Sequence, residues 1–323
     1  VWPTRRTFWA GRCVHQRTYP PLPVRTAPFA SLPQPRIEHH LLNACRTAGI
    51  PIHWNREVVH VAAAPHGVTV RTHDGAEHTG AYLIAADGAR SAVRAQLGIA
   101  LDQTRSPHAF VIADVADGPP LPCSRDFHYR HPAVGGRNVL LVPFQGGWRV
   151  DLQCRPHDDP DHWTRSTPEW IGSILGAAYS DRVTWVSPYR FRQRVAHTFH
   201  DPHHRVLLAG EAAHQFPPFG ARGMNSGIAD AQAAARAIGE ALTLSAAERD
   251  APVAAYTDRR RTAALTNQAA AAGALAHLQA DTPGARLRQR AASLAASAWP
   301  PAGAWLDRAP YGPTLRATPT RAY

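Results

Sequence analysis

Between Arg205 and Gln232 the chain reads RVLLAGEAAHQFPPFGARGMNSGIADAQ, and this stretch constrains the fold more than any other. Arg205–Ala209 is a short, continuous apolar run, as expected of a strand buried on both faces of a sheet. The periodicity predicts a helix that begins near Asn225 or Ser226 and continues through GIADAQAAARAIGEAL. Between strand and helix, two prolines stiffen the loop, while Gly220, Gly223 and Gly227 keep it bare of side chains. Such a connection aims unpaired backbone N–H groups, and the positive end of the helix dipole, at whatever lies over the loop. Glu211, at the end of the strand, is placed to accept hydrogen bonds from ligand hydroxyls, as ribose-binding acids do in doubly wound folds. The alternative is a plain strand–loop–helix connection punctuated by Gly and Pro. Strand, acid, Pro-Pro, spaced glycines and Asn in one order favour the ligand.

The rest of the chain supplies the setting. Residues 1–35 are rich in Pro and Arg and read as extended. Gln34–Gly49 has apolar positions at helical spacing (Ile37, Leu41, Leu42, Cys45) and a closing glycine. Val58–Ala62, Val68–Thr72 and Ala81–Ala85 alternate as strands do, with Asp74-Gly75 as a hairpin turn, and Ser91–Leu97 reads as a short helix. From about His108 to Phe199 strands of mixed polarity dominate: FVIADVAD, FHYRHP, RNVLLVPF and WRVDLQC, with a hairpin at Gln145-Gly146-Gly147 and a helix near Glu169–Leu175. After Gly210 the pattern is almost wholly helical.

The expected fold class is therefore α/β: a doubly wound domain, an inserted antiparallel-sheet domain and a helical C-terminal part. The expected division is 1–105 and 200–255 for the two parts of the first domain, 106–199 for the sheet domain, and 256–323 for the C-terminal helices and tail.

Composition narrows the partners. The net charge is +11, but all 35 basic residues are Arg and they are scattered, so a nucleic-acid surface is not expected. Cys13, Cys45, Cys123 and Cys154 form no C-x-x-C pair, and the 19 histidines show no metal spacing, so neither a disulfide framework nor a metal site is expected. No apolar run reaches the roughly 18–20 residues of a membrane span. These features together suggest a cytoplasmic protein.

Three motifs carry a family resemblance. LLAGEAAHQFPPFGARGMNSGIADA resembles the second flavin motif of the class A FAD-dependent aromatic hydroxylases, the p-hydroxybenzoate-hydroxylase-like flavoprotein monooxygenases. YLIAADGARSAVRAQLGI resembles the Asp-Gly motif of the same family, with Asp87, Gly88, Arg90, Ser91 and Arg94 in matching places. LPQPRIEHHLL resembles the segment whose glutamine and arginine approach the FAD, here Gln34 and Arg36. The set runs in family order from about Phe29 to Arg260.

The resemblance implies that backbone N–H groups of Gly223, Met224 and Asn225 hold the flavin pyrimidine edge, with Gly220 in the same loop. It implies a reaction-side role for the carbonyl of Pro218, ribitol contacts from Gly210-Glu211, and a place for Asp87, Gly88 and Arg90 beside FAD and NADPH (or NADH). For Arg90 and Arg94, ion pairing within the motif is the equal alternative, and His214 reads as structural. The implied activity is hydroxylation of a small aromatic substrate, phenolic or polyketide-like, by O2 through a flavin hydroperoxide. A homodimer is among the assemblies expected. Tyr189, Phe191 and Arg192 are candidates for the substrate pocket. A flavin halogenase would need a lysine, and the chain has none.

Two departures bear on this. Glu211 stands where the family has Asp, and no G-x-G-x-x-G occurs anywhere. The chain reads as an N-terminally incomplete hydroxylase in which YLIAAD and RVLLAG would flank a missing central strand. The competing readings are a non-catalytic flavoprotein remnant and a flavin oxidoreductase that inserts no oxygen.

Overall fold

The computed structural model describes residues 2–20 and 31–312, with the side chains of 104–108 and 191 left aside. In chain order the elements are β1 (Thr4–Trp9), β2 (Arg12–Thr18), α1 (Gln34–Thr47), β3 (Val58–Ala64), β4 (Gly67–Thr72), β5 (Glu77–Gly80), β6 (Leu83–Ala85), α2 (Ala92–Gln96) and β7 (Leu101–Ala116). They continue with β8 (Ser124–His131), β9 (Arg137–Phe144), β10 (Gly147–Gln153), α3 (Pro160–Arg165), α4 (Thr167–Leu175), β11 (Val183–Ala196) and β12 (Val206–Leu208). The last are β13 (His214–Gln215), α5 (Arg222–Ala241), α6 (Ala251–Gln279), α7 (Pro283–Ala295) and α8 (Pro300–Arg308). Two compact units result. Unit one takes the described residues of Val1–Pro51, Ser106–Phe191 and His277–Pro310, and unit two those of Ile52–Arg105, Arg192–Ala276 and Tyr311–Tyr323.

Unit one is built on a sheet in the order β11-β7-β10-β9-β8-β1-β2. Its core face is alternate residues of the central strands, including Val111, Ala113, Val115, Val150 and Leu152, packed with Trp170 and Ile171 of α4. The N-terminal segment read as merely extended is a hairpin in this sheet. Ala10 (φ 47°) and Gly11 (φ 84°) turn β1 into β2, a two-residue connection with positive φ at both positions. β1 then runs parallel to β8, from Thr4 opposite Ser124 to Trp9 opposite Tyr129. The C-terminal helices of the unit close on these strands: the Tyr129 hydroxyl donates to the Leu306 carbonyl at 2.7 Å, and Arg5 pairs with Asp307 at 2.5 Å. α1 forms where its spacing predicts, yet none of its residues is buried.

Unit two carries a second parallel pair. β12 and β6 pair in parallel, Val206 with Leu83, Leu207 with Ile84 and Leu208 with Ala85. The β12 run is fully buried, at 0 % for Val206, Leu207 and Leu208, as its unbroken apolar character requires. This corrects the expectation that the two strands flank a missing one: each is the other's neighbour. The far edge of β12 is also satisfied, since Leu208 N donates to the Phe199 carbonyl at 2.8 Å. Within this pair it is β6 that keeps an edge with no ladder partner among the described residues, and its Ile84 is 38 % exposed. The core of the unit joins Val61 and Val68 of the antiparallel β3-β4-β5 sheet to Phe199, β12, Ala234 and Ala237 of α5, and Val253 and Tyr256 of α6.

Candidate functional site: the turn into α5

α5 begins earlier than its periodicity suggests, at Arg222, with Ala221 in the left-handed region (φ 54°) as its N-cap. Gly223, Met224 and Asn225 therefore stand inside the first turn and not on the loop before it. The N–H groups of Arg222, Gly223 and Met224 have no carbonyl four residues back within the helix, so this end presents a fixed set of donors and half a positive charge. No side chain caps the helix. A Cβ added at Gly223 would meet nothing within 4 Å, so the space over the turn is open. Met224 and Asn225 are exposed, and Asn225 Nδ2 folds back onto the Ala221 carbonyl at 2.7 Å. The Pro218 carbonyl accepts from Ala221 N at 3.2 Å, which leaves one of its lone pairs for a ligand.

The turn is held from behind by one buried carboxylate. Asp230 on α5 is 0 % exposed. It accepts from Gly210 N at 3.1 Å, from His214 Nε2 at 2.5 Å and from Arg260 Nε of α6 at 2.6 Å. Gly210 and Gly227 make the close approach possible. Gly210 has φ 59°, and a Cβ on Gly227 would stand 3.4 Å from the Gly210 Cα. His214 is buried in this network, which matches its structural reading. Arg222 reaches the other way, to Asn267 Oδ1 at 2.8 Å and the Tyr311 carbonyl at 3.0 Å.

The Asp-Gly motif is tied to the same region. Arg94 is buried and donates to the Ala212 carbonyl at 2.8 Å, while Gln215 Nε2 donates to the Ala89 carbonyl at 3.0 Å. Burial lowers the pKa of the Arg94 guanidinium, with Asp87 opposing the shift. Ser91 caps α2 through Arg94 N at 2.9 Å, and Asp87 Oδ2 accepts from Val93 N at 3.1 Å. Asp87 and Arg90 remain exposed, Gly88 has open space at its missing Cβ, and Glu211 is exposed on a short 3-10 turn after β12.

Asp87, Gly88, Arg90, Gly210, Glu211, Pro218, Gly220, Gly223, Met224 and Asn225 all belong to unit two. Gln34 and Arg36 belong to unit one, where both are exposed and the Arg36 guanidinium donates to Gln145 Oε1. Of the pocket candidates, Tyr189 is 43 % exposed, Arg192 is exposed, and the Phe191 side chain lies outside the described residues.

Sequence reasoning missed two acids. Asp230 was readable only as part of a helix motif. Asp151 on β10 looked like one polar residue of an alternating strand. Its Oδ1 is buried with no hydrogen-bond partner among the described residues. Burial pushes this carboxyl up to about 7, with Arg149 opposing and Asp114 adding to the shift. No group of three or more metal-ligating side chains occurs among the described residues, and no described helix is long and apolar enough to cross a membrane.

Comparison with known proteins adds a family and a fold. The family model described as "FAD binding domain" matches residues 7–271. The 6-methylpretetramide 4-monooxygenase of Streptomyces rimosus is 35% identical over 216 residues, which is 63% of this chain and 37% of that protein. The crystal structure of the p-nitrophenol 4-monooxygenase PnpA from Pseudomonas putida DLL-E4 superposes with TM-score 0.74 at 24% identity, covering 98% of this chain and 82% of that one. The flavin-dependent monooxygenase PieE, solved with FAD and substrate, gives TM-score 0.67 at 25% identity over 100% of this chain and 65% of that one. The chain spans about a third to a half of the curated relatives it matches.

Proposed function

The chain belongs to the FAD-binding domain family, and from that premise we propose that it forms the flavin-ring half of an FAD-dependent, NAD(P)H-consuming monooxygenase that hydroxylates a phenolic or polyketide-like aromatic ring. The observation that carries this reading is the first turn of α5. It offers fixed main-chain donors, and open space at Gly223, beside an exposed acid at the end of a buried parallel strand.

The residues present fit the ring and the ribitol. FAD supplies the electron transfer and the oxygen chemistry when bound, and the protein supplies orientation and electrostatics. The N–H groups of Gly223 and Met224, with Asn225 in the same turn, would hold the pyrimidine edge, where negative charge would gather on reduction. Glu211 accepts from ribitol hydroxyls, its extra methylene moving the carboxylate outward by about one bond relative to Asp. The free lone pair of the Pro218 carbonyl orients a donor on the substrate. Asp87 has one oxygen committed to α2 and offers the other to the cofactor, with Arg90 beside it as a cation. Gln34 and Arg36, which the resemblance would place near the FAD, are exposed at the start of α1.

The chain has no G-x-G-x-x-G and therefore no diphosphate cradle of that type. This gives the reading a sharp test. Riboflavin and FAD titrated into the chain are expected to quench with dissociation constants within about threefold of each other. Gly223→Val, which fills the open space, is expected to weaken both at least tenfold. Absence of flavin quenching, or binding indifferent to Gly223→Val, would overturn the reading.

A further inference from the structure

Unit one contains a cavity of about 450 Å³ where the ends of β8, β9 and β10 meet the turn from α6 into α7. None of the residues proposed to hold flavin lines it. Four of its sixteen lining residues are arginines (Arg130, Arg137, Arg155 and Arg286), against 35 in the 323 of the chain, with Asp281 as the one lining acid. Trp9 forms a half-buried wall.

The four cations are not equivalent. Arg137 is committed: its guanidinium grips Asp158 at 2.7 and 2.5 Å and lies over the Trp163 ring. Arg155 donates to the Gly135 carbonyl. Arg130 and Arg286 are exposed, and neither side chain has a hydrogen-bond or ion-pair partner among the described residues. Unpaired surface arginines are ordinary, but the backbone that delivers Arg130 is not. It stands at φ 54°, in the left-handed region, where the pairing of β8 with β9 shifts register between His128 and His131. Ala280 on the opposite wall is also left-handed, at φ 46°. Each such residue costs on the order of 1–2 kcal/mol, and bulges of this kind re-aim a side chain. The strain is held in place by a saturated floor. Asn138 Oδ1 accepts from Arg130 N at 3.1 Å, and Asn138 Nδ2 donates to Gln153 Oε1 at 2.8 Å and the Leu278 carbonyl at 3.2 Å. With those amides committed to one another and Cys154 held as a neutral thiol, its pKa pushed up to about 11 by burial, the floor carries no charge.

We propose that this cavity binds a flat organic anion, its ring against Trp9 and its carboxylate drawn to Arg130 and Arg286. A planar guanidinium matches a carboxylate in two parallel hydrogen bonds, and a ring over Trp9 adds apolar contact. This site is independent of the flavin reading and of its residues.

Isothermal titration with 2-naphthoate, using 2-naphthamide as the uncharged control, tests it on the chain as it stands. Expected is saturable 1:1 binding of 2-naphthoate that riboflavin does not displace, with 2-naphthamide at least tenfold weaker. Arg286→Gln, on an exposed helical position, and Arg130→Asn, which keeps a residue tolerant of the left-handed region, should each weaken 2-naphthoate about five- to tenfold. Far-ultraviolet circular dichroism of each variant verifies the fold. The proposal is overturned if 2-naphthoate does not saturate, if the amide binds equally well, or if affinity survives Arg286→Gln in a folded protein.

Discussion

The turn into α5 and the arginine cavity of unit one are both proposed to present positive charge to a ligand, by opposite means. In the turn the charge belongs to the main chain. The donors are peptide N–H groups, and what fixes them is a buried carboxylate behind the helix, Asp230, which ties Gly210, His214 and Arg260 together. In the cavity the charge that the proposal uses belongs to Arg130 and Arg286, side chains with no ion-pair partner among the described residues, the first delivered by a left-handed backbone. The first arrangement depends on open space at Gly223 and on its anchors, and less on the identity of exposed side chains such as Met224. The second depends on the side chains of Arg130 and Arg286, both exposed.

That contrast can be broken most severely at Asp230. Asp230→Ala leaves a buried His214, a buried Gly210 N–H and the Arg260 guanidinium without their acceptor. Removing one member of such a network costs about 3–5 kcal/mol. Chemical denaturation should show that loss, and flavin quenching should fall with it. An effect below about 1 kcal/mol would mean that the turn is held by something else.

Asp151 sharpens the other side of the contrast, since it is a half-buried acid of unit one whose buried Oδ1 has no hydrogen-bond partner among the described residues. In the folded chain its carboxyl is pushed up to about 7 from a usual value of 3.8. Between those values the unfolded chain has released the proton and the folded chain still holds it. Stability is therefore lost as pH rises from about 4 to 7 and is level above that. Asp151→Asn is expected to remove this loss, raising stability at pH 8 by on the order of 3 kcal/mol while leaving it nearly unchanged at pH 4. Thermal melts of both proteins across that range measure it, and parallel curves would refute it.

The smallest effect belongs to Met224. Its side chain is 43 % exposed, and its proposed contribution is an N–H group that Ala also carries. Met224→Ala should change stability by no more than about 0.5 kcal/mol and flavin affinity by no more than about twofold. A large loss would show that the side chain, and not the main chain, contacts the ligand.

What the sequence made legible follows the same division. Signals confined to neighbouring residues were readable. The unbroken apolar run of β12, the hairpin at Gln145-Gly146, the Ser91 cap of α2 and the glycines before α5 each declare themselves within a few positions. Signals that depend on distant partners were not. β1 and β2 looked like a Pro- and Arg-rich extended segment because their sheet neighbour, β8, lies more than a hundred residues along the chain. The start of α5 was misplaced by three or four residues because its N-cap is Ala221, held left-handed by the turn and carrying no capping side chain. Asp230 and Asp151 are both single acids in apolar surroundings. Only the fold shows that one has three donors and the other none on its buried oxygen.

The outer edge of β6 has a consequence for anyone handling this chain. A short strand with no ladder partner on its outer edge among the described residues, and with Ile84 38 % exposed, is a template on which an extended segment can dock by main-chain hydrogen bonding. Concentrating the protein will thus set copies competing for that edge, and light scattering should rise with concentration before any chemistry is assayed. A peptide that occupies β6 should keep the samples clear.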